Sequence, residues 1–261
     1  VRCVTYNISG CTHPNASNYD DQANVDDGSC EFETVQIGHQ VWMTENLKGT
    51  HYRNGDAISS GLDDNAWVST EEGAYAVYDN DPANAEIYGN LYNWYTVDDD
   101  RGVCPEGYHV PSHDEYLNLT AYLGGEENAG GKMKEVGTDH WLSPNNGANN
   151  ESGFTALGAG YKTGDNGSYI NKKTTAHYWI SRDNSSYNHR RLDYNSPSIA
   201  RGTSANDNSG FSVRCLLDEL RNITINVPED FPTIQEAIDY SIDGDTVLVS
   251  AGTYYEKIDL S

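Results

Sequence analysis

Five cysteines, at positions 3, 11, 30, 104 and 215, set the first constraint on this chain. No two of them form a CxxC pair, and no histidines cluster beside them at the spacing a zinc site takes. Disulfides in an oxidising compartment are therefore the favoured reading, with metal thiolates as the alternative. Between Cys11 and Cys30 the chain runs Thr-His-Pro-Asn-Ala-Ser-Asn-Tyr-Asp-Asp-Gln-Ala-Asn-Val-Asp-Asp-Gly-Ser, with almost nothing apolar to bury. A hydrophobic core cannot hold such a segment. A Cys11–Cys30 bridge would, since closing a loop of about twenty residues stabilises by roughly 3 kcal/mol. Asp26-Asp27-Gly28 favours a tight turn. The carboxylates of Asp20, Asp21, Asp26 and Asp27 are also of the kind Ca²⁺ takes, although their spacing is not that of an EF-hand loop. A solvated acidic turn is the competing reading.

Forty Asp and Glu against sixteen Lys and Arg give a net charge of −24. A chain this acidic repels phosphate backbones, so nucleic acid is not an expected partner. No apolar run approaches eighteen residues, which excludes a transmembrane helix at this stage. Disorder does not fit either, because acidic disordered chains are poor in aromatics and this one holds 19 Tyr, 5 Trp and 4 Phe. Few Leu or Ala runs leave little for long helices. The expected class is α+β, rich in loops and short strands.

Local patterns place several elements. Residues 34–43 alternate apolar and polar about Gly38-His39 and predict a hairpin. Ser112 and Glu115 form a capping-box pair, Tyr116, Leu119, Ala121 and Leu123 give an apolar stripe, and Gly124 ends the predicted helix. Short strands are expected at 153–157 and 211–216. Near the C-terminus the pattern predicts a strand over 223–227, a helix over 232–241 and a strand over 246–249.

Three resemblances attach to these residues. The block from Gly10-Cys11-Thr12 to Asp26-Asp27-Gly28-Ser29-Cys30 resembles a Cys-bounded repeat of large secreted bacterial proteins, which implies a surface spacer. Gln40-Val41-Trp42-Met43-Thr44-Glu45-Asn46-Leu47, Tyr88-Gly89-Asn90-Leu91-Tyr92-Asn93-Trp94-Tyr95, Cys104-Pro105-Glu106-Gly107-Tyr108-His109-Val110-Pro111 and Gly210-Phe211-Ser212-Val213-Arg214-Cys215 follow in the order of the Fibrobacter succinogenes major paralogous domain. That resemblance implies an extracellular domain with a C-type-lectin-like or formylglycine-generating-enzyme-like fold and a Cys104–Cys215 bridge. Pro232-Thr233-Ile234-Gln235-Glu236-Ala237-Ile238-Asp239, with Asp243-Gly244-Asp245-Thr246-Val247-Leu248-Val249 after it, resembles the opening of a pectate-lyase-like parallel β-helix. In such a solenoid, later coils would cover Val247, Leu248 and Val249. Val1-Arg2-Cys3 repeats Val213-Arg214-Cys215, as though an earlier copy of the domain ended there. The expected organisation is the end of a preceding repeat (1–9), a Cys-bounded acidic module (10–33), the lectin-like domain (34–218) and an incomplete β-helix cap (219–261).

Catalytic patterns are missing: the sequence has no GxSxG, HExxH, Walker loop or Rossmann glycine motif. It also lacks the EPN, QPD and WND triplets with which C-type lectins hold Ca²⁺. The chain is expected to be non-catalytic, with no cofactor beyond the Ca²⁺ considered above. One stretch departs from the general acidity. Residues 160–218 carry eight Lys and Arg against five acids, interleaved with Tyr and His. Rigid aromatics beside arginines suit a recognition surface. The expected binding residues are Tyr178, Trp179, Arg182, Tyr187, His189, Arg190, Arg191 and Tyr194. In the competing reading, Tyr178, Trp179 and Tyr194 are core and the arginines are paired internally. The expected role is a structural or adhesive module of a secreted or cell-surface protein, meeting further copies of itself or neighbouring domains. The alternative is a carbohydrate-binding module attached to a β-helix polysaccharide-active enzyme.

Overall fold

A computed structural model of the chain describes residues 8–26, 29–181, 188–203, 205–218, 224–241 and 245–259. It divides into two units, 1–217 and 218–261. The first is mixed α and β, built from small sheets joined by long loops. Thr34–Ile37 and Gln40–Met43 form the predicted hairpin, with Ile37 opposite Gln40 and Gly38 at φ +65° in the turn. This hairpin is one side of a four-stranded antiparallel sheet continued by Leu216–Leu217 and Tyr108–His109. The capping-box helix spans His113–Tyr122. Ser112 Oγ accepts from Glu115 N, and the Glu115 carboxylate accepts from Ser112 N at 2.6 Å. Tyr116, Leu119 and Leu123 are buried as expected, but Ala121 is exposed and Thr120 takes its place. At 100° per residue, 116, 119, 120 and 123 share a face and 121 does not.

A three-stranded antiparallel sheet of Thr175–Trp179, His189–Asp193 and Ile199–Gly202 completes the frame. Every residue of Thr175–Trp179 is buried. Successive side chains of a strand point to opposite faces, and here each face meets its own core. Ala176 and Tyr178 join Trp42, Tyr116, Phe154 and Leu192, whereas Trp179 joins Trp94, Phe211 and Val213. The segments 153–157 and 211–216, expected as strands, are mostly irregular. Ala156 makes one isolated bridge, Phe211 bridges Tyr92, Ser212 bridges Tyr178, and regular pairing resumes at Leu216. Their apolar residues are buried by loop packing, which imposes no period of two.

Cys11–Cys30 and Cys104–Cys215 are both bonded. Cys3 lies outside the described residues. The Cys11–Cys30 block is hydrogen-bonded to the segment that follows the hairpin. Asn15 Nδ2 donates to Asn46 O at 3.0 Å while Asn15 Oδ1 accepts from Lys48 N at 2.6 Å. His13, Phe32 and Tyr108 then continue the contact as edge-to-face rings.

In the second unit, Thr224–Val227 and Thr246–Val249 pair in parallel, joined through a helix over Ile234–Tyr240 that Thr233 caps. Its core is small: Ile225, Val227 and Ala237, with Phe231, Ile234, Val247 and Tyr254 half-buried around them. Leu248 is 54 % exposed. No helix among the described residues is long and apolar enough to cross a membrane.

Candidate recognition cleft beside the central sheet

The expected binding residues do not form one exposed face. Tyr178 and Trp179 are both fully buried, on opposite sides of their strand, and Trp179 Nε1 donates to Tyr92 O at 2.7 Å. In His189–Asp193, alternation sends Arg190 and Leu192 inward and leaves Arg191 exposed. Arg190 donates to Glu126 at 2.8 Å, and Arg201 donates to the same carboxylate oxygen at 2.6 Å. Arg191 pairs with Asp193 at 3.0 Å, and Tyr194 is half-buried against the core. Arg182 and Tyr187 lie outside the described residues. Among the described cations of this stretch, Lys162, Arg190 and Arg214 are buried, whereas Arg191 and Arg201 are exposed and paired with carboxylates. Lys162 lies on the Tyr169 ring and donates to Asp64 and to Gly167 O. Lys134, outside that stretch, behaves likewise, donating to the carbonyls of Asn146, Asp193 and Ser196. Burial pushes the Lys134 amine down to about 8.

Of the carboxylates expected to suit Ca²⁺, Asp20 and Asp21 are the two whose side chains lie within the described residues. Asp20 accepts from Gln22 N, Asp21 accepts from Gln22 Nε2, and Asp26 pairs through its backbone with Gly10. Asp27 lies outside the described residues. Among the described residues no three His, Cys, Asp or Glu side chains come together to hold a metal.

Among the described residues of the expected set, His189 alone lines a cleft, which has a volume of about 270 Å³. Tyr161, His177 and Phe211 line its aromatic wall; Asp165, Asn206 and Ser209 contribute its polar side. Strand alternation builds the wall, because Trp179 lies opposite His189 and His177 lies opposite Arg191 on one face. The His177 ring stacks on Phe211 at 4.7 Å and meets Tyr161 at 4.6 Å and His189 at 5.3 Å. Gly202, opposite His189 in the next strand, permits this arrangement. A Cβ there would stand 1.9 Å from His189 Cε1.

Two neutral imidazoles result. Burial, with help from Arg191, pushes His189 down to about 4. Burial first, then His189 and Arg191, holds His177 well below the ordinary histidine value. His189 Nδ1 donates to Asn188 Oδ1 at 2.8 Å, which leaves Nε2 as an acceptor. His177 is 6 % exposed and its Nδ1 has no hydrogen-bond partner. A buried polar atom left so costs roughly 1–3 kcal/mol. A second depression, beside Asn15, Phe32 and Glu45, offers less, since Asn15 already bonds Asn46 and Lys48, and Glu45 bonds Lys48.

Tyr161 and His177 lie in the aromatic stretch 160–218 but are not among the expected binding residues. Alternation through Thr175–Trp179 is the signal that separates His177 from Tyr178. Phe211, Asp165 and Asn206 come from distant loops, and no local pattern joins them to it.

Comparison with known proteins returned no match among curated proteins and none among solved structures. The family profile of the Fibrobacter succinogenes major domain matches residues 35–216, which take in the hairpin, the capping-box helix, the central strand and the cleft's wall. The chain belongs to the Fibrobacter succinogenes major domain family.

Proposed function

We propose that this chain is a non-catalytic structural or adhesive module of an extracellular or cell-surface protein. The observation that carries the reading is where the polar groups of the four motifs go. Asn46 accepts from Arg214, Asn90 donates to Lys48 O, Asn93 accepts from Ala74 N, and Arg214 donates to the carbonyls of Met43, Thr44 and Phe154. Those side chains hold loops together instead of facing a substrate. The two disulfides fit an oxidising compartment. In the finer form of this proposal, the main unit is C-type-lectin-like and residues 219–261 are the first coil of a parallel β-helix within a repetitive protein. The acidic residues 10–33 and 219–261 would then favour copies meeting head to tail against the more basic stretch 160–218. Sedimentation velocity of the oxidised chain tests it: self-association that rises with concentration and weakens in 0.5 M salt is expected. A monomer under all conditions would remove the assembly part.

The aromatic cleft favours a second reading, a carbohydrate-binding module. Pockets that take small ligands are mostly apolar with a few placed polar groups, and this cleft has that make-up. Binding to immobilised neutral polysaccharide, lost on competition with free oligosaccharide, is the expected result. No retention on any glycan would exclude it.

A further inference from the structure

We propose that the cleft between Tyr161, His177 and His189 binds one uncharged sugar residue, with a hydroxyl donating to His189 Nε2. The inference rests on the carbohydrate-binding reading above and names its site. Three observations fix the class of ligand. The aromatic wall offers a ring, Tyr161, that is half-buried and held in place by His177 and Phe211 behind it. Such a face suits a flat apolar surface like the C–H face of a pyranose, and its rigidity keeps the entropy cost of binding low.

The polar groups need a partner that donates. His189 Nε2 is an acceptor at the cleft wall, and the buried His177 ring packs beside it. A hydroxyl satisfies a neutral imidazole in either tautomer, because it is donor and acceptor at once. Asn206 is less available: its Oδ1 accepts from Asn208 N and its Nδ2 donates toward Asp165 and Gly164.

Charge then narrows the choice. Asp165 stands exposed at the rim and opposes an anion. Arg191, opposite His177 and on the same face of the sheet as His189, opposes a cation. A ligand without charge meets neither penalty. At about 270 Å³ the cleft is near the lower end of small-molecule pockets, so it holds one residue of a glycan and leaves the rest outside.

The test is NMR titration of the oxidised full chain at pH 7, following the imidazole signals of His177 and His189. The probes are methyl glycosides of glucose, galactose and mannose, with glucuronate, glucosamine and N-acetyltyrosinamide as comparison arms. At least one neutral glycoside is expected to shift both imidazoles saturably, and glucuronate and glucosamine to bind at least tenfold more weakly. Tyr161→Ala should weaken the neutral glycoside at least tenfold. Asp165→Asn, at an exposed position, should bring glucuronate to within threefold of the neutral sugar and guards against misfolding of the first variant. No shift with any glycoside at 100 mM overturns the proposal. If glycan retention persists without moving the imidazoles, this site is wrong while the carbohydrate reading survives. If no glycan is retained at all, both fall. Shifts with N-acetyltyrosinamide alone overturn it in favour of a protein ligand.

Discussion

Arg214 holds its guanidinium at 1 % exposure, with no carboxylate in ion-pair range among the described residues. Its charge is met by Asn46 Oδ1 at 2.6 Å, by three backbone carbonyls, and by the Phe154 ring at 4.4 Å. Burial still pulls its pKa below the ordinary value. Arg214→Met would strand those acceptors, so a loss of about 3 kcal/mol or more is expected in urea unfolding. Arg214→Lys should recover little, since an ammonium cannot span the fork. The histidines act with the opposite logic. A folded-state pKa of about 4 for His189, against an ordinary 6.5, means the folded chain binds fewer protons across that interval. Stability from this term is full above pH 6.5 and falls as pH drops toward 4, by on the order of 3 kcal/mol in total. Glu115 and Glu126 have pKa values held below the ordinary carboxylate range and so lose their contribution only at lower pH. Urea midpoints at pH 7 and pH 5 should therefore differ more in the parent than in His189→Gln. Equal differences would show that His189 is not the source. Arg214 is legible in the sequence as part of a motif, but its burial is not, because the carbonyls that solvate it come from residues 43, 44 and 154. The His177–His189 pair is hidden for a related reason: the two rings meet only after a loop has returned the chain across the sheet.

At the scale of elements, local chemistry and distant packing separate clearly. The hairpin at 34–43 and the helix at 113–122 follow from turn and cap residues within a few positions of one another. Both disulfides close as expected, Cys11–Cys30 from its loop and Cys104–Cys215 from family resemblance. The strand Thr175–Trp179 is harder, because burial on both faces removes the alternation that marks a half-exposed strand. That double burial is why Tyr178 and Trp179 belong to the core and not to a recognition face. The capping box does more than start a helix. Burial alone would raise the Glu115 carboxyl, but hydrogen bonds from His109 and Ser112 hold it low, while Glu115 O accepts from Gln40 Nε2 at 2.9 Å. One turn thus ties the helix to two strands of the sheet. Ser112→Ala should cost about 1–2 kcal/mol, measured as a lower urea midpoint with an unchanged m-value. A change below 0.3 kcal/mol would mean the helix start is held by Pro111 and packing instead.

At the scale of the whole molecule, the two units differ sharply in what stabilises each. The first has two disulfides, a core divided by a doubly buried strand, and buried cations that crosslink loops. The second closes its core with Ile225, Val227 and Ala237, and its described residues include no disulfide. Segments of about 40 residues without crosslinks are marginal, because too little of their surface can be buried. Local stability should follow that difference, and amide exchange reads it directly. In the oxidised chain at pH 7, the amides of Thr175–Trp179 are expected to exchange at least a thousandfold more slowly than those of Thr224–Val227 and Thr246–Val249. Among the described residues, Thr246–Val249 has one strand neighbour, and its Leu248 and Val249 side chains are exposed. A further parallel strand added along that edge would bury them and slow exchange there selectively, leaving Thr175–Trp179 unchanged. Equal protection of the two regions in the isolated monomer would contradict this account. If protection of 246–249 instead rises with protein concentration while 175–179 stays constant, the exposed strand is the surface through which copies meet.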